Sequence, residues 1–347
     1  MSLKTKTFRY WIHIYLYNNR FILPIKRGIK NPFFSNLILL ICSPYILLNY
    51  LFSKLYENIF GFNKVKRIIE KEKATVFKHE FAIVSISKNE GTYIIEWIEF
   101  HRMVGAEKFY FYDNESEDNT AEILKPYIDA GIVEYTLIKG KAQQLVAYND
   151  AINKHKNDCR WMAFLDMDEY LMPTDSSKKL GDITSELVYK AGKGAAGVGV
   201  NWAIFGTSGF KRKPKGLVTE NYTQRAENTY FINIHIKTIC NPRLVKDYIS
   251  PHYPFYIRGG YSIREAWGNR IYGWGASDIV YKNLRINHYV TKSEEEYAKK
   301  RKRGLGDRVG IYDDDVFVQN NRCDIEDHSM LPYIDELKTR VNNYPKI

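Results

Sequence analysis

Between Phe81 and Leu165, short apolar runs alternate with stretches whose apolar residues recur at helical spacing, and this alternation leaves few folds open. Phe81-Ala82-Ile83-Val84-Ser85-Ile86 is rich in β-branched residues and suits a strand buried on both faces. Ile94, Ile95, Trp97, Ile98 and Met103 mark a helix over 89–104, which Gly105 ends. A second strand is predicted over 108–112, a helix over 120–130 closed by Gly131, a third strand over 132–138, a helix over 142–154 and a fourth strand over 161–165. The fold class is therefore α/β, a mostly parallel sheet with helices on both faces. Ligands of such sheets bind beyond the carboxyl ends of the strands. The polar residues gather there: Ser87 to Glu90, Asp113 to Asp118 and Asp166 to Glu169. After Leu180 the pattern turns irregular and glycine-rich, with short β-like stretches around Val218 and over 231–239, and it is read as the continuation of the same domain.

The formal charge of +11 would invite a nucleic-acid reading if it were spread over the chain. It is not: 13 Lys and Arg against 3 Asp and Glu precede Val76, so nearly all of the excess lies in residues 1–75. A near-neutral remainder weighs against nucleic acid as a partner. The same terminus carries an uncharged run over 31–53, interrupted by Ser35, Asn36, Ser43, Pro44 and Asn49, with aromatic and basic residues before it and Lys54, Lys64, Lys66 and Arg67 after it. That composition suits helices in the headgroup layer of an anionic membrane, peripheral or single-span. Residues 1–75 are thus read as a helical membrane-associating region and linker, 76–310 as the catalytic domain with halves at about 81–180 and 181–310, and 311–347 as a helical tail. Cys42, Cys159, Cys240 and Cys323 form no CxxC pair, so neither a zinc site nor a disulfide framework is expected, and a reducing cytoplasm is the simplest setting.

Phe164-Leu165-Asp166-Met167-Asp168-Glu169 sets two carboxylates one residue apart directly after an apolar strand. Oxygen ligands on a rigid strand end suit Mn²⁺ or Mg²⁺. A divalent ion held there would stabilise the charge that grows on a departing diphosphate. The motif alone is short and matches by chance.

Several further phrases fall in order along the chain: Lys88-Asn89-Glu90, Glu96-Trp97-Ile98 with His101, Tyr112-Asp113-Asn114, Trp161 through Glu169, Asn201-Trp202, Phe205 through Gly209 and Asn287-His288-Tyr289 with Lys292-Ser293. In these the chain, over roughly 81–304, resembles glycosyltransferase family 92 and the family 2-like group. The resemblance implies a GT-A (Rossmann-like) fold, a UDP-sugar donor and an Mn²⁺-type ion. It implies that Asp113 bonds the base or ribose and that Asn89 and Glu90, with Ser87, line the nucleotide pocket. Asp166 would face ribose and metal, Asp168 would bind the ion and His288 would join it. Gln143, with Gln144 and Asn149, would reach the diphosphate or donor sugar, and Lys292 would clamp the diphosphate together with the basic cluster Lys299 to Arg303. Glu169 would orient the site from behind.

An inverting transfer also needs a base for the acceptor hydroxyl. Glu220, Glu227, Asp247, Glu265 and Asp278 are the candidates, with Glu220 and Glu265 favoured. The expected function is transfer of a hexose to a glycan or lipid-linked acceptor in surface or capsular polysaccharide synthesis at the cytoplasmic face of a bacterial membrane, with self-association allowed. Two other readings share the carboxylates: a nucleotidyltransferase, whose glycine-rich phosphate loop is missing after the first strand, and a membrane-tethered nucleotide-sugar-binding protein without turnover.

Overall fold

The computed structural model describes residues 60–266, 268–303 and 314–344, with Leu48, Leu51, Phe52 and Leu55. The chain divides into two compact units, Met1–Ile59 and Phe60–Ile347. Nearly all of the first, with its uncharged run, lies outside the described residues. Among the described residues no helix is long and apolar enough to cross a membrane.

The first half follows the alternation. Strands β1 (His79–Ser87), β2 (Lys108–Asp113), β3 (Val133–Leu137) and β4 (Cys159–Phe164) are all parallel, in the order β3-β2-β1-β4. Helices α1 (Phe62–Lys73), α2 (Gly91–Met103), α3 (Thr120–Asp129) and α4 (Gln144–His155) precede or connect them. The strand period of two sends alternate side chains of β1 to opposite layers. Phe81 and Ile83 enter one core with Trp97, Ile98 and Leu124, while Ala82 and Val84 enter another with Ala147, Tyr148 and Ile152. Helices thus cover both faces. Each large apolar side chain buried this way contributes on the order of 1.5–3 kcal/mol.

The second half completes the sheet. After β5 (Glu169–Pro173) and helix α5 (Leu180–Ala191) comes a ten-residue strand, β6 (Ala195–Ile204), in the stretch that reads as irregular. Its glycines misled the pattern, because they serve packing: a Cβ on Gly197 would collide with the Ile239 carbonyl and Tyr256, and one on Gly199 with Ile271 and Ile236. The β-like stretch at Val218 is instead a helical turn, α6 (Val218–Asn221). Its first amides are gathered by Glu96, whose carboxylate accepts from Val218 N at 2.8 Å and Thr219 N at 2.9 Å. Then follow β7 (Gln224–Arg225), β8 (Ile236–Cys240), β9 (Val245–Tyr248), β10 (Pro254–Tyr256), β11 (Tyr261–Arg264) and β12 (Leu284–His288). The sheet continues from β4 as β8-β6-β12-β5, with β11 beside β6. Strand β8 runs antiparallel to β4 and β6, and β12 runs parallel to β6 and antiparallel to β5.

The expected boundaries shift at both ends. Val65 and Ile69 of α1 are buried in the main core and Glu72 pairs with Arg243, so the unit starts before residue 76. After α7 (Glu294–Arg303) and α8 (Asp314–Asn320), β13 (Ile325–Glu326) pairs with β7. Helix α9 (Leu331–Asn342) buries Tyr333, Ile334 and Leu337 in the same core. Residues 314–344 are therefore an integral part of the domain.

Candidate active site

The carboxyl ends of β1, β2, β4, β6 and β12 share one edge of the sheet. Ser87 is the register partner of Asp113 there, and His288 pairs with both Glu169 and Ile204. The turn from β4 into β5 carries Asp166 and Asp168. It is stapled by its own last residue: Glu169 Oε2 accepts from Asp166 N at 2.9 Å, and Glu169 N donates to Asp166 O at 3.0 Å. Tyr289 N donates to Asp168 O at 2.8 Å, which ties the turn to the end of β12.

Each of the two aspartates meets a lysine. Lys237 on β8, itself buried, places Nζ 3.0 Å from Asp166 Oδ2 and 3.4 Å from Glu169 Oε2. Gln144 Nε2 donates to Asp166 Oδ1 at 2.7 Å and to the Tyr148 hydroxyl at 3.0 Å. Lys300 on α7 pairs with Asp168 Oδ2, and His288 Nε2 lies 3.5 Å from Asp168 Oδ1. Burial alone would raise the Asp168 carboxyl, but Lys300 and His288 outweigh it and hold the group well below the usual carboxylate range. Burial pushes Glu169 up to about 8, with Lys237 opposing and Asp166 adding to the rise. Burial would lower Lys237, yet Asp166 and Glu169 keep its ammonium charged.

Beside this turn opens a cavity of about 440 Å³, lined by Asn89, Glu90, Tyr93, Lys213, Lys292 and Lys300 among others. Lys292 and Lys213 approach the Tyr93 ring at 4.3 and 5.0 Å. Burial lowers Lys292, offset in part by Glu90 and Asp168. Asn89 (φ 55°) and Lys292 (φ 49°) both hold left-handed backbone, which costs a non-glycine residue roughly 1–2 kcal/mol and recurs where a loop is shaped for a ligand.

The expected residues do not all converge. Asp168 and His288 do, whereas Asp166, expected to join them on the metal, is held instead by Lys237 and Gln144; Asn89, Glu90 and Lys292 share the adjoining cavity. Ser87 is buried with its hydroxyl unpartnered among the described residues. Asp113 sits on the edge with both oxygens engaged, Oδ1 by Ser116 N at 2.8 Å and Oδ2 by the Tyr135 hydroxyl at 2.6 Å. Gln143 is a correction: it precedes α4 and turns back to Lys141 O, because the helix phase hands the inward position to Gln144. Asn149 is spent on the backbone of Tyr248 and Leu145. Glu265 is also displaced. It accepts from Lys282 N and Asn283 N, both at 2.7 Å, just before β12, whereas His288 ends that strand about 13 Å further on at the usual rise. Glu220 turns to Lys338 of α9. Lys237 was missed, although a lone lysine in Ile236-Lys237-Thr238-Ile239-Cys240 is an anomaly in an apolar strand and so a legible signal.

The profile of glycosyltransferase family 92 matches residues 84–306, which spans this edge, the cavity and α7. The chain belongs to glycosyltransferase family 92. A family 92 protein of Ricinus communis is 29% identical over 244 residues, covering 67% of this chain and 43% of its own length. One of Arabidopsis thaliana is 27% identical over 193 residues, covering 54% and 32%. The chain thus spans less than half the length of these curated relatives. Among solved structures, S. aureus TarS aligns with 76% of this chain and 71% of its own at 15% identity and TM-score 0.36. Glucosyl-3-phosphoglycerate synthase of Mycobacterium tuberculosis, solved with Mn²⁺ and UDP, aligns with 51% and 61% at 14% identity and TM-score 0.27. The matched residues include the turn between β4 and β5.

The donor set fits a divalent ion. One carboxylate oxygen and one imidazole nitrogen 3.5 Å apart suit two ligands of one ion, and an ammonium already rests on the other oxygen of Asp168. Among the described residues no cluster of three or more His, Cys, Asp or Glu is set to hold a metal. Ions that serve phosphate chemistry are commonly held by one or two side chains, with phosphate oxygens supplying the rest.

Proposed function

We propose that the protein transfers a hexose from a UDP-sugar to a hydroxyl of a glycan or lipid-linked acceptor, with inversion and dependence on Mn²⁺ or Mg²⁺. The observation that carries this reading is Asp168 lying between His288 and Lys300 at the carboxyl edge of the sheet, where Lys300 also lines the adjoining cavity. Asp168 and His288 would hold the ion, which supplies Lewis-acid stabilisation of the departing diphosphate. The chain's own contribution is positional. Glu169 fixes the turn, Lys237 and Gln144 hold Asp166, and Lys292, Lys213 and Lys300 are cations that diphosphate oxygens can meet in a cavity they share with Glu90, Glu117, Asp118 and Glu296. A panel of nucleotide sugars assayed for hydrolysis with Mn²⁺, with Mg²⁺ and with EDTA tests the reading. Metal-dependent release of UDP from at least one donor is expected, and release from none would overturn it.

The basic, aromatic N-terminal region supports a second element of the same reading, association with an anionic membrane at the cytoplasmic face in the synthesis of a surface polysaccharide. Full-length protein should then sediment with phosphatidylglycerol vesicles and less with phosphatidylcholine vesicles. Equal recovery with the two would remove the electrostatic part.

A further inference from the structure

We propose that the outer face of α1, through the row Lys64, Arg67 and Lys71, docks the folded domain on the anionic headgroups of a bilayer. This rests on the membrane reading above and names the part of the domain that carries it.

Helix α1 is amphipathic, and its apolar side is already committed to the core. Val65 and Ile69 are buried there, while Lys64, Lys66, Arg67, Lys71 and Lys73 are exposed. Residues 64, 67 and 71 recur at i, i+3 and i+7, so they lie in one row along the helix. Glu70, on the exposed side, pairs with Lys73 at 2.9 Å and lies off that row. Lys64, Arg67 and Lys71 make no ion pair among the described residues. Three cations held in line without an acid repel one another and suit a surface of phosphates.

The row is rigidly mounted. Arg160 near the amino end of β4 donates from Nη1 to Glu72 O at 2.6 Å and from Nη2 to Thr75 O at 2.8 Å, and Arg243 pairs with the Glu72 carboxylate. At the other end of the helix, Phe62 packs 6.2 Å from Tyr261, which starts β11. Helix α1 is thus fastened along the amino ends of the strands. Asp166 lies six residues beyond Arg160, about 20 Å away at the usual strand rise. Docking through the row therefore leaves the catalytic edge clear of the headgroups.

The chain leading into α1 favours a bilayer over other anionic partners. Leu48, Leu51, Phe52 and Leu55 are helical and exposed at i, i+3, i+4 and i+7, and Phe60, one turn before Lys64, is exposed as well. A nucleic acid would meet the cations but offer nothing to those apolar residues, and a second copy would set like charges together. Acyl chains below a layer of phosphates answer both.

The test uses full-length protein with vesicles of phosphatidylglycerol mixed into phosphatidylcholine, and pure phosphatidylcholine vesicles as the neutral reference. Lys64→Glu/Arg67→Glu/Lys71→Glu reverses the row. Lys139→Glu/Lys215→Glu/Lys302→Glu makes the same charge change at exposed positions just after β3 and near the cavity. Partition to the anionic vesicles is expected to weaken about tenfold or more in the α1 variant and to stay within about twofold in the other. Thermal midpoints check that both variants fold. No weakening in the α1 variant, or equal weakening in the two, would overturn the docking face while a wild type that prefers phosphatidylglycerol keeps the membrane reading. A wild type without that preference would overturn the membrane reading and this face with it. A short DNA duplex that binds the wild type but not the α1 variant, with vesicle partition unchanged, would assign the row to nucleic acid and also overturn it.

Discussion

Nζ of Lys237 lies 3.0 Å from Oδ2 of Asp166 although Lys237 is buried and comes from a different strand. A buried ammonium is tolerated only where carboxylates surround it, and those carboxylates in turn depend on it. Lys237→Met should therefore destabilise the protein by about 3 kcal/mol, because Asp166 and Glu169 would keep a shared site without their counter-cation. Urea unfolding checks this through the midpoint at unchanged slope, and a loss below about 0.5 kcal/mol would show that the pair is screened by water.

Asp168 meets two positive or ligating groups at once, Lys300 and His288. Asp168→Asn keeps the shape and removes the charge. Donor hydrolysis should fall by about 100-fold or more, as expected when an electrostatic stabiliser of a leaving group is removed, with the far-UV circular dichroism unchanged. Retention of rates within a few-fold would move the chemistry away from this turn.

Glu220 pairs with Lys338 at the surface, outside the arrangement around Asp168. Glu220→Gln should change stability by less than about 1 kcal/mol, as for other exposed pairs, and leave donor hydrolysis within about twofold. A large loss of turnover at constant stability would restore it as a candidate base.

His101 is fully buried, with Nδ1 donating to Trp97 O at 2.8 Å and Nε2 accepting from Leu171 N at 3.1 Å. Burial lowers its pKa to about 3 from 6.5, so the unfolded chain takes up a proton that the folded chain refuses. The stability it supports is present above pH 6.5 and is lost as pH falls from there toward 3. His101→Gln should flatten the acid side of the stability profile by about 1.4 kcal/mol per pH unit in that window. His252, lowered similarly by burial, adds a separate loss in the same window, so some slope persists in the variant. An unchanged slope would place the acid sensitivity elsewhere.

Gly197 faces the Ile239 carbonyl on the neighbouring strand. Gly197→Ala should cost about 2 kcal/mol, since the added methyl forces β6 and β8 apart in a close-packed sheet. Thermal unfolding followed by calorimetry measures it, and a neutral substitution would show that the two strands can part without loss.

The parallel half of the sheet was legible because its signals are local. Strands β1 to β4 have apolar runs of strand length, the helices between them have periodic apolar faces, and Gly105 and Gly131 end α2 and α3. Asp166 and Asp168 were legible for the same reason, since they lie beside an apolar strand. In β6 the pattern failed because glycine serves strand contact there, and no single-strand periodicity reveals a neighbour's backbone.

Gln144 rather than Gln143, Lys237 on Asp166, and Glu265 at the far end of β12 were all decided by tertiary placement. A helix phase shifted by one residue, or a strand returning antiparallel, changes which polar group meets which, while composition and spacing stay the same. By itself the sequence determined the element order of the parallel half, the fold class and the acidic turn, because backbone preference and apolar periodicity act over a few residues. Only the tertiary structure decided which lysines face those acids and which carboxylates are spent on the scaffold. Those pairings join residues up to 132 positions apart, as Asp168 and Lys300 are, and their energy depends on burial that no local pattern records.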